Sequence, residues 1–240
     1  MPDLVIITGA SSGLGLAIAR SVPFPARVMD ISRSGPPEDS GIEHLEADLA
    51  DPASWPEVAT HLRTVIEDAS PRRMTMIHAA GTLSPIGFAG EVDLEGYTAN
   101  VLLNSAAGQV LGHVFLTLAA DREGDRTLVM ISSGAASSIY PGWSAYGAGK
   151  AALDQWVRNA GAEQKRRGGV VVVAIAPGVI DTAMQEQIRA TSPADFPDVE
   201  RFRRLRAEGD LVEPAVAARR FWEVVEAGME PGSVIDLRRV

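Results

Sequence analysis

The sequence contains no cysteine. This removes disulfides, a thiolate nucleophile and thiolate metal ligands, and no metal site is expected. Positive charge is in short supply: 22 Lys and Arg stand against 31 Asp and Glu, a formal net charge of −9. Such a balance argues against general binding to nucleic acid or an anionic membrane. The opening residues, MPDLVIITGASSG, carry no basic leader before an apolar stretch, so a cytoplasmic location is expected. Repeats, low-complexity tracts and convincing linkers are also lacking. At 240 residues the chain suits a single α/β domain over 1–240. A domain of this size buries roughly three quarters of its unfolded surface and needs no covalent staples.

Lysine is almost missing as well. Only Lys150 and Lys165 interrupt an otherwise all-arginine set of cations. Lysine offers a compact ammonium on a flexible stem, able to approach a neighbouring hydroxyl as a point charge. Residues 96–120 lack formal charge, which could suggest a membrane span. Asn100, Asn104, Ser105, Gln109, His113 and three glycines break that stretch. A helix from about 92 to 120, buried in the core or at a subunit interface, is the expectation.

What is present alternates regularly. Short β-branched or apolar runs at 3–8, 26–31, 42–49, 74–81, 126–132, 169–178 and 233–237 predict seven strands. Helical patterns lie between them, including 52–69, 143–166 with Ser144 as N-cap, and 214–227. Strand and helix in strict alternation predict one doubly wound parallel sheet flanked by helices, with ligands at the carboxyl ends of the strands. The candidate positions collect at those ends. Gly9, Ser11, Ser12, Gly13, Leu14 and Gly15 form a glycine turn between a strand and a helix, suited to a pyrophosphate. Ser32 and Arg33 end the second strand, where an arginine accommodates a 2′-phosphate and favours NADP(H). Asp30, two residues earlier, would favour NAD if it faced the ribose; it is expected to stay within the strand. Asp48 ends the third strand, Gly81 follows the fourth, and Pro177 and Gly178 the sixth. His78 reads as a satisfied core histidine.

Residues 131–150, ISSGAASSIYPGWSAYGAGK, carry the chemistry. Tyr146 lies thirteen residues after Ser133, and Lys150 four after Tyr146. The i, i+4 spacing places Tyr146 and Lys150 on one helical face. Beside a dinucleotide this set suits hydride transfer to or from a carbonyl. Tyr146 would move the proton, Lys150 would favour the phenolate, and Ser133 would bond the carbonyl oxygen as charge develops. Asn100 and Asn104, one turn apart, predict a polar spot inside the long helix.

At these residues the chain resembles the short-chain dehydrogenase/reductase family over its whole length. The matching stretches are Thr8-Gly-Ala-Ser-Ser-Gly-Leu-Gly15, Asp48-Leu49, Ala79-Ala80-Gly81, Asn100, Ser133, Tyr146-Gly-Ala-Gly-Lys150 and Pro177-Gly178-Val179-Ile180-Asp181-Thr182. The resemblance implies a Rossmann-type domain that forms homodimers or homotetramers. It implies Tyr146 as acid/base, Lys150 lowering its pKa and holding the nicotinamide ribose, and Ser133 placing the carbonyl. Asn100 would hold a water linking Lys150 to solvent. Asp48 and Leu49 would meet the adenine, Ala79–Gly81 the cofactor, and Pro177, Gly178, Val179, Ile180 and Thr182 its nicotinamide end. The chain departs from the family at His78-Ala-Ala-Gly81, in place of Asn-Asn-Ala-Gly, and at its C-terminus.

That ending, Gly142-Trp143 and the stretches 176–189 and 194–205 are similar to the benzil reductase and sepiapterin reductase branch. The similarity implies an NADPH-dependent reductase of a small ketone or α-diketone. Residues 181–212 would be a substrate lid, with Trp143, Met184 and Phe202 as contacts. Asp236 would anchor substrate, or else pair a nearby arginine. Reductases of a pterin side chain or a 3-oxoacyl thioester are the rival enzymes. A non-catalytic NADP(H)-sensing module and a structural dimerisation domain are the rivals outside catalysis.

Overall fold

The computed structural model describes residues 3–69 and 71–239. Seven parallel strands form one sheet in the order β3-β2-β1-β4-β5-β6-β7. They are β1 (Asp3–Thr8), β2 (Ala26–Ser32), β3 (Glu43–Glu46), β4 (Arg73–His78), β5 (Asp125–Ile131), β6 (Val171–Ala176) and β7 (Val234–Asp236). The order reverses between β1 and β4, and the crevice at such a switch is where ligands bind in open α/β sheets.

Both faces of the sheet are covered, which is why its central strands read as unbroken apolar runs. On β1, Leu4 and Ile6 enter one core and Val5 and Ile7 the other. The first core is closed by α2 (Trp55–Ala69), α4 (Gly108–Ala119) and α5 (Ser144–Arg167), through Val58, Leu62, Leu111, Phe115, Leu153 and Val157. The second is closed by α1 (Gly13–Arg20) and α8 (Pro214–Glu226), through Ile18, Ala218, Phe221 and Trp222. A third, smaller cluster of Leu83, Trp143, Tyr146, Phe196, Val199 and Phe202 lies beyond the strand ends.

The long uncharged stretch is one helix from Leu94 to Ala119, and by length and composition it could cross a membrane. It consists of α3 (Leu94–Val101), a π-helical turn (Leu102–Ala107) and α4. In this fold it packs against α2 and α5. Its opposite face leaves Leu94 and Val101 exposed.

Between β6 and α8 the chain makes α6 (Ala183–Ala190) and α7 (Val199–Glu208). This excursion is closed at its base. Ile180 and Val212 form a parallel bridge, Asp181 N–H donates to the Val212 carbonyl (2.9 Å), and Val212 N–H donates to the Val179 carbonyl (2.9 Å).

Several boundaries differ from the sequence reading. Strand β4 ends at His78, because Ala79–Gly81 leave the sheet to line the cleft. Strands β3 and β6 are likewise shorter than expected. Helix α5 is preceded by Trp143 at the N-cap position, without a side-chain cap bond, and Ser144 is already helical.

Candidate active site

A cleft of about 410 Å³ runs along the carboxyl edge of the sheet. The loop after β1 forms one end of it. Gly9 has φ +79° there, and a Cβ on it would lie 2.8 Å from the Ala80 backbone. A Cβ on Gly15 would lie 2.1 Å from the Gly9 carbonyl oxygen. Only glycine lets the turn and α1 close up this far. The Ser12 side chain makes no cap bond at the start of α1, and the first turn holds no acidic residue. The helix therefore presents free amides and the positive end of its dipole to the cleft.

At the end of β2, Arg33 lines the cleft, exposed and without a carboxylate partner among the described residues. Asp30 is fully buried and already committed. It accepts Ala10 N–H (2.6 Å) and the Ser32 hydroxyl (2.5 Å), and its Oδ2 lies 2.9 Å from His44 Nδ1. Asp30 thus stays within the sheet as expected and ties the glycine turn to the end of β2. Ser32, Asp48, Leu49, Ala79, Ala80 and Gly81 continue the same wall. Glycine cradle, uncapped helix start and unpaired guanidinium together fit a nicotinamide dinucleotide.

Ser133, Tyr146 and Lys150 meet in the middle of this cleft. Ser133 lies two residues past the end of β5, and its Oγ accepts the Ala135 N–H at 3.2 Å. Lys150 is 3% exposed, and its ammonium donates to the Ile131 carbonyl at 2.8 Å. Burial pulls its pKa down to about 8, opposed by the charge of Asp154. The Tyr146 phenol is pushed up by burial, opposed by hydrogen bonding to Ser133. Lys150 Nζ lies 5.9 Å from the Tyr146 ring centroid. Below it, His78 is fully buried with Nδ1 2.9 Å from the Thr8 hydroxyl. Burial and the charge of Lys150 lower its pKa to about 3, the Leu103 backbone tempering the shift.

Two of the expected residues lie outside the cleft lining, and for Asp236 the alternative of an arginine partner is the one observed. Asn100 does not line the cleft. Its amide donates to the carbonyls of Thr82 (3.3 Å) and Ser84 (2.9 Å), and its oxygen accepts from Asn104 (2.8 Å). Asn104, in the π turn, is the nearer one: a Cβ on Gly81 would lie 2.9 Å from Asn104 Oδ1 and 3.6 Å from Lys150 Nζ. Asp236 does not line the cleft either. Its carboxylate is clamped by Arg238 (Nε–Oδ1 2.9 Å, Nη2–Oδ2 2.5 Å), and Arg238 is the residue that reaches the cleft.

The sequence reading also passed over Asp154, which is 6% exposed. It continues the Tyr146, Lys150 row at i+8, a spacing that could have revealed it. Tyr140, Arg201 and Arg238 were missed because nothing local joins three positions so far apart. At the substrate end, Trp143 stacks on Phe196 (4.5 Å, 14°), with Tyr140 and Phe202 packed around them. Pro177, Gly178, Val179, Ile180, Thr182, Met184 and Phe202 complete the lining.

The fold and cleft define a dinucleotide-binding α/β oxidoreductase. The profile of the family described as short chain dehydrogenase matches residues 3–193, and the chain belongs to that family. It is 36% identical over 241 residues to a protein of Bacillus subtilis (strain 168) named benzil reductase ((S)-benzoin forming), covering 98% of each chain. A Bacillus cereus protein of the same name is 33% identical, covering 97% of this chain and 98% of that one. The crystal structure of YIR035C from Saccharomyces cerevisiae, a short chain dehydrogenase/reductase, superposes with a TM-score of 0.83 at 23% identity, over 98% of this chain and 96% of that one.

Proposed function

We propose that this chain is an NADPH-dependent carbonyl reductase acting on a small ketone or an α-diketone of the benzil kind. The observation that carries the reading is the convergence of Ser133, Tyr146 and Lys150 in one cleft that has Arg33 at its far end and aromatic rings at its near end. When bound, the cofactor supplies hydride to the carbonyl carbon. The chain supplies the proton. A phenol pushed up by burial holds its proton at neutral pH, which suits Tyr146 to donate to the nascent alkoxide. Ser133 holds the substrate oxygen through its hydroxyl. Lys150, with a pKa of about 8, remains an ammonium at neutral pH and favours the phenolate as it forms.

In this reading Asn104, rather than Asn100, serves the Lys150 side of the site. The amides opening α1 take the pyrophosphate, Asp48 and Leu49 the adenine, and Pro177–Thr182 the nicotinamide end. Residues 181–212 act as the substrate lid, with Trp143, Met184 and Phe202 in contact. Asp236 acts only through Arg238. The family resemblance further supports association of two or four copies through the α3–α4 and α5 faces.

Tyr146→Phe tests the central role. Turnover should fall about 10²- to 10⁴-fold, while NADPH binding, followed by fluorescence, persists. Normal turnover in this variant would remove Tyr146 from the chemistry. Benzil, sepiapterin and an acetoacetyl thioester, each with NADPH and NADH, define the carbonyl reduced. A wild-type protein that binds NADPH but reduces nothing in a broad carbonyl panel is a sensing module instead.

A further inference from the structure

We propose that Tyr140 is a second hydrogen-bond donor in the cleft, one that reads an oxygen on the carbon beside the reacting carbonyl. The substrate class is then the aromatic α-dicarbonyl, a diketone or an α-keto acid, rather than an isolated ketone. This rests on the carbonyl-reductase reading.

Tyr140 lies in the loop before α5 and lines the cleft together with Arg201, Arg238 and Tyr146. Its ring is fixed by neighbours, with centroids 4.9 Å from Trp143, 6.1 Å from Phe202 and 6.4 Å from Phe196. Its hydroxyl oxygen accepts a hydrogen bond from Arg201 Nη1 at 2.9 Å. A phenol has one proton to give besides its lone pairs. With Arg201 occupying a lone pair, that proton is left over, and no acceptor takes it among the described residues. The guanidinium also polarises the O–H and makes it a better donor.

The two arginines here differ. Arg238 is held above its ordinary pKa first by its hydrogen bond to Asp236 and more weakly by Tyr140, so its charge is balanced within the wall. Arg201 has no carboxylate partner among the described residues. Its guanidinium carbon lies 5.8 Å from the Tyr140 centroid and 5.9 Å from that of Phe202. The substrate end is therefore an aromatic box with one cation-backed O–H. An aryl monoketone would fill the box and leave that donor unpaired, a costly outcome once water is excluded. A second oxygen, carbonyl or carboxylate, satisfies it. A site built to bond a second polar group rejects the analogue that lacks it.

The experiment compares kcat/KM with NADPH for benzil, phenylglyoxylate and deoxybenzoin, the last keeping both rings but only one carbonyl. The wild type should favour the two dicarbonyls. Tyr140→Phe keeps the ring packing and should lower the benzil-to-deoxybenzoin ratio about tenfold. Arg201→Lys should retain more of that ratio than Arg201→Gln, because an ammonium gives the phenol a charge-assisted hydrogen bond and a neutral amide does not. A larger Arg201→Gln loss on phenylglyoxylate than on benzil identifies the carboxylate as the oxygen read; equal losses identify the carbonyl. A Tyr140→Phe ratio within twofold of wild type, with melting temperature and NADPH affinity kept, overturns the proposal. So does an equal loss on all three substrates. Failure of the wild type on every carbonyl tested would overturn the reductase reading itself and Tyr140's role with it.

Discussion

His78 stands at the end of β4, under the cofactor cleft, and is held neutral by burial and by the nearby charge of Lys150. Its folded value of about 3 lies below the ordinary 6.5. Between those limits the unfolded chain binds a proton that the folded chain refuses, so stability falls as pH drops, by up to about 1.4 kcal/mol per pH unit. His78→Asn cannot take that proton. Its urea-unfolding free energy should decline less steeply from pH 6.5 toward pH 4 than the wild type's, and identical slopes would remove His78 from the acid response. The residue itself was legible as a core histidine, and so were Ser133, Tyr146 and Lys150, whose side chains have few other reasons to occur at that spacing. The pKa of Tyr146 was not legible. It depends on burial, and Tyr146 sits against Trp143 in a cluster completed by Phe196 and Phe202, which only the folding of 181–212 brings there. Asn100 and Asn104 were legible as a polar pair, but not which of them faces Gly81.

At the scale of elements, continuous apolar runs placed the central strands, because a strand covered on both faces has no polar side; the exposed edge strand β3 (EHLE) was placed by its position in the strand–helix alternation. Strand ends were overextended wherever the backbone turns away to line the cleft, as at Ala79–Gly81. The π turn at Leu102–Ala107 escaped because one extra residue in a helical turn leaves no mark in composition. That turn brings Asn104 toward Lys150, and the helix carrying it leaves an apolar outer face. Leu94 is 81% exposed and Val101 42%. If copies associate through this face, light scattering should report a dimer or tetramer for the wild type. Leu94→Glu with Val101→Glu should shift the distribution toward monomer. A monomeric wild type at micromolar concentration would end that reading.

For the whole molecule, charge is distributed against its average. The chain carries −9 overall, yet the cleft gathers Arg33, Lys150, Arg201 and Arg238. Four cations against the single carboxylate of Asp48 in the lining favour an anionic ligand even on a body of the other sign. Arg33 has no carboxylate partner among the described residues and lines the cleft at the end of β2, where the proposed function puts the adenosine 2′-phosphate. Arg33→Ala should therefore weaken NADPH about tenfold or more while changing NADH little, a contrast read by titrating both cofactors. Equal losses would undo the preference for NADPH. The chain between β6 and α8 is also closed off at a neck. Ile180 and Val212 close the base of the excursion that carries Met184, Arg201 and Phe202, and their hydrogen bonds join the two ends of that excursion to each other. Loop-closure entropy grows only slowly with length. The segment beyond the neck can thus be lengthened, shortened or rewritten without shifting the register of any strand. One strand framework can then carry different walls on the same cleft.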